Sequence, residues 1–200
     1  MAEPAAEWIS PEEYLRRERL SVTKNEYFNG RIYPMEAGPS AMAGAKRAHV
    51  LITGNIGDAL RSSLRDRPCE TYESEMRVKV DESGHYTYPD VAVACEPQFE
   101  DVNEDTLLNP LVIVEVLSPS TEPYDRGTKF EVYEAVPSIQ EILYVRQDRR
   151  MIERNKRIGP RQWLRESFTD GDVPLESLGF TLSVARIYER VRFDPNPPLR

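Results

Sequence analysis

One apolar run constrains this fold more than any other part of the sequence. Residues 111–117 read LVIVEVL, so every position except Glu115 is apolar. A short run of this kind, followed by a Ser-Pro-Ser-Thr stretch, is typical of a strand that is buried on both faces of a sheet. Together with the order of helices and strands along the chain, described below, it predicts an α/β (α+β) domain in which helices cover a mixed β-sheet.

Glu115 is the exception that needs a chemical reason. Alternate residues of a strand share a face, so Glu115 should point the same way as Leu111, Ile113 and Leu117. An ionised carboxylate among such neighbours costs free energy unless it is paired, protonated or bound to a metal ion. The run therefore predicts both a central strand and an acid with a special role.

The N-terminal part predicts a helix, a hairpin and a second helix. In residues 10–13, SPEE, the Ser caps a helix and the Pro fits its first position, and the helix should run to about Leu20. The Asn29-Gly30 pair indicates a tight hairpin turn. Residues 47–64 have the apolar spacing of a helix. The predicted apolar face of that helix consists of Val50, Ile52, Ile56, Ala59, Leu60 and Leu64.

The rest of the chain predicts more strands and two more helices. CETYESEMRVKV and YTYPDVAVAC each indicate one strand, and FEDVNEDTLLN indicates a surface loop. YDRGTKFEVYEAV predicts a helix that ends before Pro137. EILYV, MIERNK and RQWLRES predict strands, the last two joined by a turn at Gly159-Pro160, and SVARIYERV predicts a short closing helix.

Composition indicates one globular domain over residues 1–200, with its core at about 26–191 and a loose tail at 192–200. No apolar run approaches the ~20 residues that cross a bilayer, so no membrane partner is expected. The N-terminus lacks a secretion signal, and cytoplasm is the expected compartment. The net charge of -8 argues against nonspecific coating of nucleic acid but permits a local basic groove.

The two cysteines, Cys69 and Cys95, are interpreted as reduced core residues, because nothing in the sequence indicates export. The alternative, a disulfide between these two cysteines, stays open. No cluster of Cys and His suggests zinc.

Three polar residues form a candidate catalytic set. Asp90 opens the apolar half of a predicted strand, so Asp90 and Glu115 should lie near strand ends and could hold one divalent cation through oxygen ligands. Mg²⁺ or Mn²⁺ suits such a pair. Lys129 lies in the helix after the Glu115 strand, with Tyr133 one turn further along the same face. A lysine near a polarised water or phosphate can assist phosphodiester hydrolysis.

The segments YPDVAVA, NPLVIVEVLSPSTEPYDRGTKFEVY and SIQEILYV resemble the Uma-type family of endonucleases in the PD-(D/E)XK, restriction-endonuclease-like superfamily. The resemblance covers about residues 26–191. It implies a mixed four-stranded core sheet flanked by helices and extended by an N-terminal helix and hairpin and by C-terminal strands. It also implies an endonuclease that acts on nucleic acid, with DNA favoured over RNA.

The same resemblance implies that Asp90, Glu115 and the Val116 carbonyl bind the metal and that Lys129 is catalytic. The superfamily pattern expects a lysine two residues after the acid, where this chain has Leu117. The family resemblance maps that function to Lys129 on the next helix. Superfamily members that cut both strands often pair, which suggests a homodimer that could use the N-terminal helix and hairpin.

The competing hypothesis is a nucleic-acid-binding or protein-binding module that keeps a nuclease scaffold with little or no catalysis. Other polar residues are left with open roles. Glu75 could join the acidic cluster or lie on an exposed strand. Glu26 and Tyr27 start the hairpin and could approach the site, but they are not assigned to it. His49 and His85 are interpreted as surface or capping residues rather than general bases. The basic stretch RQDRRMIERNKR, residues 146–157, could contact phosphates or form a solvated strand edge.

Overall fold

The computed structural model describes residues 8–35, 47–80, 84–118 and 122–194. Most of the predicted C-terminal tail, from residue 195 onward, lies outside the described residues. The strands are β1 (Asn25–Phe28), β2 (Arg31–Pro34), β3 (Cys69–Glu73), β4 (Arg77–Lys79), β5 (Tyr86–Thr87), β6 (Val91–Cys95), β7 (Thr106–Leu107), β8 (Val112–Leu117), β9 (Glu141–Arg146), β10 (Ile152–Gly159), β11 (Gln162–Phe168), β12 (Asp172–Leu175) and β13 (Phe180–Ser183). The helices are α1 (Pro11–Glu18), α2 (Arg47–Leu64), α3 (Glu122–Tyr124), α4 (Phe130–Glu134) and α5 (Val184–Ile187), and a π-helical turn over Asp125–Lys129 joins α3 to α4.

The principal sheet has the strand order β11-β10-β9-β8-β6-β3 among the described strands. Strands β8 and β9 are parallel, whereas the other neighbouring pairs are antiparallel. The sheet is therefore mixed, as predicted. Every residue of β8 is buried, because helices or the β12–β13 hairpin cover both faces of the sheet. The apolar run at residues 111–117 therefore contains a central strand of the sheet, β8.

Alternation along β8 divides its side chains between two apolar layers. Val112, Val114 and Val116 pack against α2, α5 and the β12–β13 hairpin. Ile113 and Leu117 pack on the opposite side against residues of α4, β6 and β9. Glu115 belongs to this second face by the same alternation. The helix that follows β8 therefore covers the face on which Glu115 lies.

A second sheet, with the order β2-β1-β5-β4-β7, packs beside α1 and supplies part of the site. Its entry elements follow the sequence closely. Ser10 Oγ accepts a hydrogen bond from the Glu13 N–H at 3.2 Å, and α1 begins at Pro11. Asn29 and Gly30 both have positive φ, 49° and 76°, which is the backbone of a tight β-hairpin. The predicted cap and turn are confirmed.

Two predicted strands are each divided between the two sheets, and those predictions were wrong. Residues 69–80 form β3 in the principal sheet and β4 in the second sheet. Residues 86–95 likewise form β5 in the second sheet and β6 in the principal sheet, with Pro89 and Asp90 at the change. A proline lacks the N–H that continues a ladder, so the strand breaks there. Both divisions place residues from the two sheets next to each other.

Smaller predictions also needed correction. Val50 is 57% exposed instead of facing the core. It projects from a different side of α2 than the buried residues Ile52 and Ile56. The predicted surface loop contains β7, whose two residues are buried beside β4. The β12–β13 hairpin was not predicted. No helix within the described ranges is both long and apolar enough to cross a membrane.

The prediction of two reduced cysteines was wrong. Cys69 on β3 and Cys95 on β6 form a disulfide. The antiparallel register of these strands places the two residues directly opposite each other, with their Cα atoms 3.8 Å apart. Sequence spacing gives no information about that register, which is why the pairing was not predicted.

Candidate functional site

Asp90 lies at the point where the chain passes from β5 to β6, next to the end of β8. One carboxylate oxygen, Oδ2, accepts a hydrogen bond from the backbone N–H of Val116 at 2.7 Å. Val91 pairs with Val114 across the antiparallel β6–β8 ladder. Continuing that register by one residue sets Asp90 opposite Glu115. The two predicted acids therefore occupy adjacent positions on neighbouring strands.

Glu115 is 3% exposed and is held by two residues of the following helical segment. Lys129 Nζ lies 3.1 Å from Glu115 Oε1, and the Tyr133 hydroxyl donates to the same oxygen at 2.6 Å. Lys129 is itself 5% exposed. A lysine buried to this degree requires carboxylate partners, so it is not the solvated helix lysine that is the commoner case. The structure thus brings Asp90, Glu115 and Lys129 to one end of β8.

The π-helical turn explains how Lys129 reaches the strand. It widens the helix over Asp125–Lys129, and both of its end residues are buried. Lys129 Nζ lies 3.7 Å from Asp125 Oδ1 and points toward β8. Single π-helical turns inside α-helices occur frequently at functional sites. Lys129, which the family resemblance assigns in place of a lysine at position 117, therefore reaches Glu115 from an irregular helix.

Glu26 is a member of the cluster that the sequence analysis did not assign to the site. It lies on β1 of the second sheet, is 5% exposed, and has its Oε1 3.4 Å from Lys129 Nζ. The Tyr124 hydroxyl donates to Oε2 at 2.7 Å, and the Thr87 hydroxyl donates to Oε1. The local sequence signal was weak, because Glu26 lies between Asn25 and Tyr27 on a short hairpin strand.

His49 was interpreted as a surface or capping residue, and that interpretation was wrong. Its Nε2 lies 3.0 Å from Asp90 Oδ1, and its side chain is 25% exposed. Burial lowers the pKa of this imidazole, but the hydrogen bond and charge of Asp90, the charge of Asp125 and a backbone hydrogen bond with Val116 raise it more, so the pKa lies above its usual value. His49 therefore contacts one of the carboxylates predicted to bind metal.

The electrostatics of the cluster are unusual for a protein interior. Burial raises the pKa of Glu115, Lys129 opposes that change, and the negative charges of Asp125 and Asp90 add to it, so the net shift is upward. Burial lowers the pKa of Lys129, but Glu115 and then Glu26 outweigh it and hold the pKa well above the usual value. Perturbed pKa values of this kind concentrate at functional sites.

The donor chemistry of the site fits a hard divalent cation. Asp90, Glu115 and the Val116 carbonyl offer oxygen atoms only, which is the ligand type that Mg²⁺ prefers. Within the described ranges, no three His, Cys, Asp or Glu side chains are grouped closely enough to hold a metal by themselves. Mg²⁺ does not need such a cage, because it commonly takes one or two carboxylates and completes its shell with water and phosphate.

Other sequence candidates lie elsewhere or have structural roles. Glu75 does not join the cluster: its side chain is 86% exposed and pairs with Lys24 at 3.1 Å. In the basic stretch, Arg146 bonds to Glu122 and Asp148 within the fold. Arg154 is almost fully buried and bonds to acidic side chains and a backbone carbonyl. These two arginines stabilise the fold, so the stretch is not simply a solvated strand edge.

Comparison with known proteins gives a consistent result. Residues 11–185 match the Uma2 family, which is described as "Putative restriction endonuclease". Two relatives come from Synechocystis sp. (strain ATCC 27184 / PCC 6803 / Kazusa). The uncharacterized protein slr1290 is 34% identical over 186 residues, which cover 92% of this chain and 94% of the relative. The uncharacterized protein sll1609 is 38% identical over 157 residues, which cover 78% of this chain and 85% of the relative.

A solved structure has a similar fold. It is a crystal structure from Anabaena variabilis ATCC 29413, described as a putative nuclease belonging to DUF820. The TM-score is 0.68 with 20% sequence identity, and the match covers 90% of this chain and 98% of that chain. At this level of identity the likeness concerns the fold, and it agrees with the mixed sheet and flanking helices predicted from the sequence.

Proposed function

Because the chain belongs to the Uma2 family of restriction-endonuclease-like proteins, we propose that it is a divalent-metal-dependent endonuclease whose site is formed by Asp90, Glu115 and Lys129. Family membership and fold support nuclease chemistry in general. The metal, the substrate and the roles of single residues are our proposal. The observation that carries it is the buried contact of 3.1 Å between Lys129 and Glu115, adjacent to the Asp90 carboxylate.

Asp90, Glu115 and the carbonyl of Val116 would hold Mg²⁺ or Mn²⁺. When bound, such an ion supplies a Lewis acid that polarises the phosphate and lowers the pKa of water. In this proposal Lys129 would donate hydrogen bonds to a phosphate oxygen or orient the attacking water. Tyr133 holds Glu115 at 2.6 Å and so limits the rotation of this carboxylate.

Glu26 and Asp125 support the proposal through Lys129. Three carboxylates lie within 4 Å of its Nζ, at 3.1, 3.4 and 3.7 Å, so the ammonium stays charged and its position is fixed. A fixed cation at a phosphoryl-transfer site stabilises developing negative charge without reorganisation. We assign Glu26 and Asp125 as positioning residues for Lys129.

The substrate is proposed to be nucleic acid, with DNA favoured. Plasmid cleavage in the presence of Mg²⁺ or Mn²⁺ tests the proposal, with RNA as a parallel substrate. We expect wild-type protein to cut and both Asp90→Asn and Glu115→Gln to lose activity. Glu75→Gln is the matched control, because it also removes one carboxylate but from outside the cluster. Equal activity in all four proteins, or cleavage that persists after chelation, would contradict the mechanism.

One observation favours the competing function of a binding module. Both carboxylate oxygens of Asp90 already have protein partners, His49 and the Val116 N–H. A chain that binds nucleic acid without cutting would show Mg²⁺-independent binding that Asp90→Asn leaves unchanged, and gel-shift assays with and without chelator distinguish the two functions.

An endonuclease that cuts both strands is expected to act as a homodimer, which sedimentation analysis in the presence of DNA would test.

A further inference from the structure

Both oxygens of the Asp90 carboxylate have a hydrogen-bond partner within the protein. Its Oδ1 contacts the Nε2 of His49 at 3.0 Å, and its Oδ2 accepts the backbone N–H of Val116 at 2.7 Å. A cation that bound Asp90 through Oδ1 would therefore compete with the imidazole for this oxygen.

The His49 side chain is partly exposed and lies at the start of a helix that is anchored elsewhere. It lies in the first turn of α2, and its side chain is one-quarter exposed. The helix itself is anchored by buried residues further along, including Ile52, Ile56 and Leu60. The neighbouring Val50 is exposed. Rotation about the side-chain torsions of His49 would therefore carry the ring toward solvent while the helix stays in place.

We propose that His49 occupies the cation position at Asp90 in the metal-free protein and is displaced when the divalent ion binds. This inference rests on the proposed function, because it assumes that Asp90 is a metal ligand. Since ring and ion compete for Oδ1, the protein binds metal only from the fraction in which the ring has left. The apparent affinity is lowered by that fraction. His49 then competes with the metal ion for Asp90, and it pairs with this carboxylate when no metal is bound.

The opposite role makes the opposite prediction, which allows a clear test. A histidine that merely positions a metal-binding carboxylate strengthens metal binding, and its removal typically weakens affinity about 10–100-fold. Removal of a competitor instead tightens binding. We expect His49→Ala to lower the Kd for Mn²⁺ by about tenfold, measured by isothermal titration calorimetry at pH 7. His85→Ala is the matched control, because His85 contacts Asn29 on the hairpin and should leave the Kd unchanged.

The wild-type protein provides a second readout that does not depend on a variant's folding. The chain contains two histidines, His49 and His85, so its imidazole NMR spectrum has two sets of resonances. Titration with Mg²⁺ should shift the resonances of His49 and leave those of His85 in place. The shift should be absent in Asp90→Asn. None of these measurements requires catalytic activity.

The outcomes separate the two proposals. A lower Kd in His49→Ala together with a Mg²⁺-dependent shift of the His49 resonances supports displacement. A higher Kd in His49→Ala, or His49 resonances that do not move while Asp90-dependent binding occurs, overturns the displacement and leaves the nuclease proposal standing. Metal binding that is absent in the wild type, or unaffected by Asp90→Asn, overturns both.

Discussion

Replacement of Lys129 by methionine should destabilise the protein far more than the loss of an ordinary lysine. Lys129 is 5% exposed, and its Nζ lies 3.1, 3.4 and 3.7 Å from the buried carboxyl groups of Glu115, Glu26 and Asp125. Removing one partner of a buried ion pair costs about 3–5 kcal/mol, because the remaining charge stays buried without compensation. Methionine keeps much of the apolar volume, so the change mainly removes the charge.

The size of this effect is measurable. A protein of this length loses about 2–4 °C in Tm per kcal/mol, so Lys129→Met should lower Tm by about 6–20 °C. Urea unfolding followed by circular dichroism gives the free energy of unfolding, and calorimetry gives Tm. Lys24→Met is the matched control: Lys24 pairs with a Glu75 side chain that is 86% exposed, so its loss should cost less than about 1 kcal/mol.

A double-mutant cycle isolates the electrostatic part. If Lys129 stabilises the charged form of Glu115, then Glu115→Gln combined with Lys129→Met should cost less than the sum of the single changes, by more than about 1 kcal/mol. A loss below about 1 kcal/mol for Lys129→Met, or additive costs in the cycle, would refute the reasoning. Such a result would mean that the ammonium group is hydrated in solution rather than bound among the acids.

Three further predictions concern other parts of the molecule. Hydrogen bonding to Arg19 lowers the pKa of Asp105 to about 2. Asp105 therefore contributes about 1 kcal/mol of stability above pH ~4, after allowance for its partial exposure, and this contribution is lost as the pH falls toward 2. In Asp105→Asn, the free energy of unfolding measured in urea should depend less on pH over that range. Gly30→Ala should cost about 1–2 kcal/mol in urea unfolding, because φ is +76° and the new Cβ would meet the Trp8 indole. Saturating Mg²⁺, at 100 times Kd, should stabilise the wild type by about 2.7 kcal/mol, and Asp90→Asn should abolish that gain in calorimetry.

The three candidate site residues could be singled out in the sequence because their signals are local. Glu115 stands out as one acid in an apolar strand, Asp90 follows a proline at the start of another strand, and Lys129 follows in the next helix. Each is recognisable within about ten residues of sequence. The same is true of the cap at Ser10 and the turn at Asn29, whose backbone requirements depend on neighbouring residues alone.

Contacts between distant segments could not be predicted in this way. His49 meets Asp90 across 41 positions of sequence, and Glu26 meets Tyr124 across 98. These contacts depend on how the second sheet is placed against the principal one. That placement follows from the division of residues 69–80 and 86–95 between the sheets, which alternation alone does not reveal. The cross-strand pairing of the cysteines depends on register in the same way.

Lys129 links Glu26 and Asp125 to the proposed chemistry, because its side chain contacts both. Three carboxyl groups, those of Glu115, Glu26 and Asp125, lie 3.1, 3.4 and 3.7 Å from this one ammonium group. Hydroxyl groups of Tyr124 and Thr87 donate to Glu26 and that of Tyr133 donates to Glu115, which reduces the cost of burying these acids. A site built only for stability would not gather so many acids, since apolar residues of similar volume are commonly as stable or more stable. The gathering of buried acids next to Asp90 is the physical reason that we propose a divalent cation at this site.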